Sequence, residues 1–129
     1  MSTMNLTAEN FESTLKDNDI VFIDFWAEWC GPCRMFSPIY DKVAEKYPDI
    51  KFTKVNTEEE QDLALTFGIQ SIPTLAIFRD RILLFKQPGL LPEAALEDVI
   101  KQVKQLNMDD IRAQIAKQSE QTDSQTKAA

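Results

Sequence analysis

Strand-like and helix-like stretches alternate along this chain and close with a hairpin and a final helix. That order predicts an α/β sandwich, a mixed β-sheet flanked by helices on both faces. Three observations carry the prediction. Residues 20–27 are apolar on both alternating faces, as a strand covered from both sides requires. Residues 32–46 follow at once with helical spacing of apolar positions. Two short apolar runs, 73–78 and 82–86, are joined tightly through Asp80-Arg81, which makes them antiparallel neighbours.

Each element has its own signal. Thr7 is placed to cap a helix over residues 8–16, with Phe11 and Leu15 four apart on one face. Strand 20–27 is rich in β-branched and aromatic residues. In helix 32–46, Met35 or Phe36, Ile39, Val43 and Ala44 form the inner stripe, and Pro38 is expected to kink it. A strand over 50–56 precedes Thr57-Glu58-Glu59-Glu60, which matches a capping box for a short helix ending near Phe67 and Gly68. Pro88-Gly89 marks a turn. Pro92 suits the first position of a helix reaching Leu106, with Ala95, Leu96, Val99, Ile100 and Val103 inward. Met108, Ile111 and Ile115 give one more apolar stripe over 107–117. The organisation is then one domain over 1–106, a short helical extension over 107–118, and a polar tail over 119–129 expected to be disordered.

With 129 residues the chain buries a core without staples. Its net charge of −7, with no Lys/Arg cluster, argues against nucleic-acid or anionic-membrane binding. No basic segment followed by an apolar run opens the chain, and its longest apolar stretch is broken by Asp24 and too short to span a bilayer. A cytoplasmic monomer is expected. The chain has two Cys and no His. Nucleophile–His pairs are therefore ruled out, and a complete zinc site is not expected.

The chemistry concentrates in Trp29-Cys30-Gly31-Pro32-Cys33, which begins where a buried strand stops and a helix starts. A helix N-terminus offers free N–H groups and partial positive charge, which favour a thiolate, the reactive form of cysteine. Cys30 is expected exposed at the helix mouth and Cys33 one turn deeper. Residues three apart on a helix have Cβ atoms about 5–6 Å apart, so a small adjustment closes a Cys30–Cys33 disulfide. Pro32 stiffens the loop. Two unrelated cysteines, or half of a metal site shared between chains, are the bland alternatives. Asp24 is costly inside an apolar strand unless paired or protonated; a water-facing position at the strand end is its bland reading.

At these residues the chain resembles the thioredoxin family. The stretch from Val21 through Asp24 and Trp29 to Cys33 is similar to the family's active-site segment, and Phe67-Gly68-Ile69-Gln70-Ser71-Ile72-Pro73-Thr74 to its second signature. The likeness spans about residues 5–105. It implies a protein-disulfide reductase: Cys30 attacks, Cys33 resolves the mixed disulfide, and a thioredoxin reductase, a flavoprotein using a nicotinamide cofactor, restores the dithiol. No resident cofactor is expected on the chain itself. The resemblance further implies that Asp24 is a buried acid exchanging protons with Cys33, that the head of Lys54 lies near it, and that Pro73 is a cis-proline facing the cysteines. Trp29, Gly31, Pro32, Ile72, Pro73, Gly89 and Leu90 would then bind disulfide-containing proteins around Cys30.

Some residues depart from the family pattern. Asp80-Arg81 lacks the hairpin glycine, Pro88 stands where a β-branched residue is common, and residues from Asn107 onward exceed the usual length. Pro88 and the extension suggest two alternatives: an exchange enzyme dedicated to one partner, and a binding subunit or co-chaperone using the fold as a docking surface.

Overall fold

In the computed structural model, which describes residues 2–128, ten elements form one sheet and five helices. They are β1 (Thr3–Asn5), α1 (Phe11–Asp17), β2 (Ile20–Trp26), α2 (Gly31–Lys46), β3 (Lys51–Asn56), α3 (Gln61–Thr66), β4 (Thr74–Arg79), β5 (Ile82–Pro88), α4 (Glu93–Gln105) and α5 (Met108–Ala128). The strand order is β1-β3-β2-β4-β5. β3 runs parallel to β1 and β2, whereas β4 is antiparallel to both β2 and β5. The mixed sheet is as the sequence predicts. Among the described residues no helix is long and apolar enough to cross a membrane.

Alternation along β2 explains the two layers. Phe22 joins Phe52, Leu75 and Ile77 beneath Phe36, Tyr40 and Val43 of α2 and Leu96, Ile100 and Val103 of α4. Val21, Ile23 and Phe25 face the other way, into a core with Leu6, Val55, Leu63 and Phe78, closed by Phe11 and Phe67. The same alternation puts Asp24 on the face of Phe22, towards α2.

Several boundaries differ from expectation. β1 is a three-residue strand that the sequence pattern does not announce. Thr7 does not cap α1: the Thr7 N–H donates to Asn10 Oδ1 (2.8 Å) and the Asn10 N–H to Thr7 Oγ1 (3.3 Å), so the two side chains close a turn and the helix starts after it. The capping box at 57–60 does not form either. Asn56 Oδ1 accepts the N–H groups of Glu58 and Glu59, and α3 begins after Glu60 with no side-chain cap. Pro92 is the residue before α4 rather than its first turn. α2 remains one assigned helix through Pro38.

The largest difference is at the C-terminus. α5 continues to Ala128, through the stretch expected to be disordered. Residues 119–128 contain no Gly or Pro, and Gln, Glu, Lys and Ala are adequate helix formers. The helix is seated at its start. Met108 is buried, and Arg112 donates to Asp80 Oδ2 (3.2 Å) in the β4–β5 turn. Ile115 stays exposed, so only the first part of the expected stripe is covered.

Candidate active site

The site is assembled where β2 ends. Cys30 is the residue before α2 and is extended rather than helical; its Sγ accepts the backbone N–H of Cys33 at 3.2 Å. No acidic residue occupies the first turn of α2, so nothing there opposes negative charge on that sulfur. Cys30 and Cys33 are joined as a disulfide with Cα atoms 5.2 Å apart. The expected exposure of Cys30 is not found: it is 4% exposed and Cys33 3%. The Cys30 sulfur is turned onto the Cys33 amide and lies 3.6 Å from the Ile72 carbonyl oxygen.

The Ile72–Pro73 bond is cis, as expected, and Pro73 is buried. The Gly89 N–H donates to the Pro73 carbonyl (2.8 Å), and Gly89 has φ +102°, a backbone that favours glycine. Cys30, Ile72, Pro73 and Gly89 are thereby linked in one neighbourhood. Trp29 is 66% exposed, with its Nε1–H donating to Glu58 Oε1 at 2.7 Å. Beside it lies an open groove of about 400 Å³ lined by Trp29, Thr57, Ala64, Ile69, Gln70, Ser71 and Ile72. Gly31 and Pro32 are exposed next to Cys30. Leu90 is half-buried and packs on the α2–α4 core, outside this groove.

Behind the cysteines, Asp24 is 1% exposed and neither carboxyl oxygen has a hydrogen-bond partner. It shares a cavity of about 120 Å³ with Trp26, Cys33, Arg34, Ser37 and Lys54. Burial pushes the carboxyl from its ordinary 3.8 up to about 7; the Lys54 charge opposes that rise and the Asp41 charge adds to it. Lys54 is the parallel-strand neighbour of Asp24, and its head is close enough to act on it. Its ammonium, however, forms an ion pair with Asp41 Oδ1 (2.9 Å) and donates a hydrogen bond to Ser37 Oγ (2.8 Å). Sequence reasoning missed Ser37, Asp41 and Glu58. The first two had a signal, since Cys33, Ser37 and Asp41 recur every four residues along one helical face.

The thioredoxin family model matches residues 2–102. The putative thioredoxin 2 of Streptomyces coelicolor is 57% identical over 120 residues, 93% of this chain and 90% of that protein. That span leaves too few residues outside it to exclude the start of α5. The thioredoxin of Porphyra purpurea is 42% identical over 78% of this chain and 95% of its own length. Among solved structures, a mutant thioredoxin from Halobacterium salinarum superposes with a TM-score of 0.74 at 34% identity, covering 81% of this chain and 93% of that one. With its sheet order, its disulfide at the head of α2 and these relatives, the chain belongs to the thioredoxin family, has the thioredoxin fold, and is a protein-disulfide reductase acting by dithiol–disulfide exchange.

Proposed function

We propose that Cys30 is the attacking thiol, Cys33 the resolving thiol and Asp24 the group that takes the Cys33 proton, on cytoplasmic protein disulfides, with a thioredoxin reductase regenerating the dithiol. One observation carries the division of labour: the Cys30 sulfur receives the Cys33 N–H at the start of α2, whereas Cys33 lines the Asp24 cavity. A sulfur held at a helix N-terminus forms its thiolate more readily, and the thiolate is the nucleophile. Exposure does not separate the two cysteines; their surroundings do. The groove beside Trp29 and the Ile72 carbonyl next to Cys30 support docking of an extended substrate segment there. Trp29, Gly31, Pro32, Ile72, Pro73 and Gly89 form that docking rim. Leu90 supports it from the core side.

The reaction follows from thiol chemistry. The Cys30 thiolate bonds to one substrate sulfur and displaces the other as thiolate. Cys33 gives its proton to Asp24, bonds to Cys30 Sγ, and releases the second substrate sulfur. The substrate disulfide gains two electrons and this chain is left as the Cys30–Cys33 disulfide.

Cys33→Ser is expected to accumulate covalent adducts with oxidised proteins, seen on a non-reducing gel and removed by dithiothreitol. Cys30→Ser is expected to accumulate few. Equal adducts on both variants would defeat the assignment, and adducts mainly on Cys30→Ser would reverse it.

A further inference from the structure

Lys54 starts beside Asp24 in the β2–β3 register, and its four-carbon stem gives the ammonium a choice of partners. An inward turn would pair it with a carboxyl whose two oxygens are both unpartnered. The ammonium takes the outward arrangement instead. Its Nζ sits 2.9 Å from Asp41 Oδ1 and donates to Ser37 Oγ at 2.8 Å. The Lys54 side chain lines the cavity and is 16% exposed, whereas that of Asp41 lies outside the lining and is 50% exposed, so the ion pair draws the ammonium towards solvent. The other groups around Asp24 offer no competing cation in a bonded position. From α2 come Cys33, the buried Tyr40, whose hydroxyl donates to the Thr53 carbonyl (2.8 Å), and Arg34 on the cavity wall. From β4 comes the apolar Leu75 opposite Asp24.

We propose that Asp41, aided by Ser37, is a positioning residue for the resolving step: it holds the Lys54 ammonium at the outer side of the cavity and keeps the Asp24 carboxyl unpaired and free to take the Cys33 proton. This rests on the assignment of Asp24 as proton acceptor. A carboxylate locked to a buried ammonium is a weaker base, because the opposite charge stabilises its ionised form. With the ammonium neutralised by Asp41, the carboxyl keeps its affinity for a proton. In the step served, the Cys33 S–H bond breaks and the proton goes to Asp24. The Cys33 electron pair forms the Cys30–Cys33 bond, and the departing substrate sulfur leaves with the electrons of the old S–S bond and is protonated by water.

The test is a carbon-13 NMR titration of the Asp24 side-chain carboxyl in the full chain, with Asp41→Asn, Asp41→Glu and Lys54→Gln. Asp41→Asn is expected to lower the Asp24 midpoint by about one unit or more, as an ammonium drawn near a carboxyl does. Asp41→Glu is expected to restore the wild-type midpoint. Most of the Asp41→Asn shift is expected to vanish when Lys54→Gln is also present, which separates positioning from direct repulsion. An unmoved midpoint in Asp41→Asn, or an equal shift with and without Lys54, overturns the proposal. Insulin reduction against pH distinguishes the two levels. A lower acid limb and lower plateau in Asp41→Asn support both. A moved midpoint with an unmoved limb upholds the placement of Lys54 by Asp41 and removes Asp24 as acceptor. An unmoved Asp24 midpoint in Asp41→Asn, with insulin reduction separately crippled by Asp24→Asn, keeps the acceptor and removes the role of Asp41.

Discussion

The two ends of α2 solve opposite problems. At the C-terminal end, Lys42 and Lys46 lie 3.2 and 2.9 Å from Glu93, Lys46 reaches Glu97 at 3.6 Å, and the Tyr47 hydroxyl donates to Glu97. Lys104 pairs with Asp49 at 2.6 Å and sits over the Tyr47 ring. Each of these charges has a partner and most are open to water. At the N-terminal end the polar groups are buried and incompletely paired: Asp24 has no bonded partner at all, and the Trp26 Nε1–H is likewise without one. Surface pairs of this kind contribute little, since water already solvates them. Buried, unpaired groups cost stability, and for the Asp24 carboxyl the same burial raises its affinity for a proton. One helix is thus fully paired where it meets water and flanked by unpaired polar groups where it is buried.

Asp24→Asn is the strongest way to break that contrast. The folded pKa, about 7, lies above the ordinary 3.8. As pH rises from about 4, the unfolded chain loses this proton first, so folding stability falls until about pH 7 and then levels off. Asn carries no such cost. The variant is expected to be more stable than wild type at pH 8 by about 2–4 kcal/mol, with the gain disappearing near pH 4. Urea denaturation at the two pH values checks this. Turnover at pH 7 is expected to fall about tenfold or more through loss of the proton acceptor. Equal urea midpoints for the two proteins at pH 8 would mean that the carboxyl is not strained by burial.

Tyr40→Phe probes the middle of the helix. Tyr40 is fully buried and its hydroxyl is satisfied by Thr53. Removing it leaves an acceptor short of a partner, so a loss of about 1–2 kcal/mol is expected, read as a lower denaturation midpoint. Glu93→Gln at the far end is expected to do least. Its melting temperature should stay within about 3 °C of wild type, and the small loss should vanish in molar salt. A large, salt-insensitive loss there would show that the staple to α4 carries real weight.

Much of this architecture was legible beforehand. Strand 20–27 and helix 32–46 announce themselves because buried elements need unbroken apolar faces, and the Cys pair falls at their junction. Helix starts were harder. Thr7 and Thr57 have the chemistry of caps, but Asn10 and Asn56 capture the local N–H groups first, a contest between near-equal hydrogen bonds that periodicity does not register. β1 has too few residues to show a period. The head of Lys54 was expected near Asp24, and it is near. Its bonded partners were not foreseen, because they depend on how β3 sits under α2, which is set by the fold and not by any local run. Ile72, Pro73 and Gly89 were named through resemblance; the cis Ile72–Pro73 bond and the Gly89–Pro73 hydrogen bond are the physical links that bring them together.

The β4–β5 hairpin turns through Asp80 and Arg81, both with positive φ, and Arg79 beside it donates to the carbonyls of Val103 and Leu106. That corner is where α5 is hooked, by Arg112 on Asp80. It lies at the start of β2, since Arg79 pairs with Ile20, while Cys30 follows the strand's other end. Seven residues of strand separate the two, roughly 20 Å. A molecule fastened to a support through its C-terminal helix would therefore present its disulfide-exchanging face outward. Immobilised on a bead or fused ahead of another domain, it would keep that face clear for large clients.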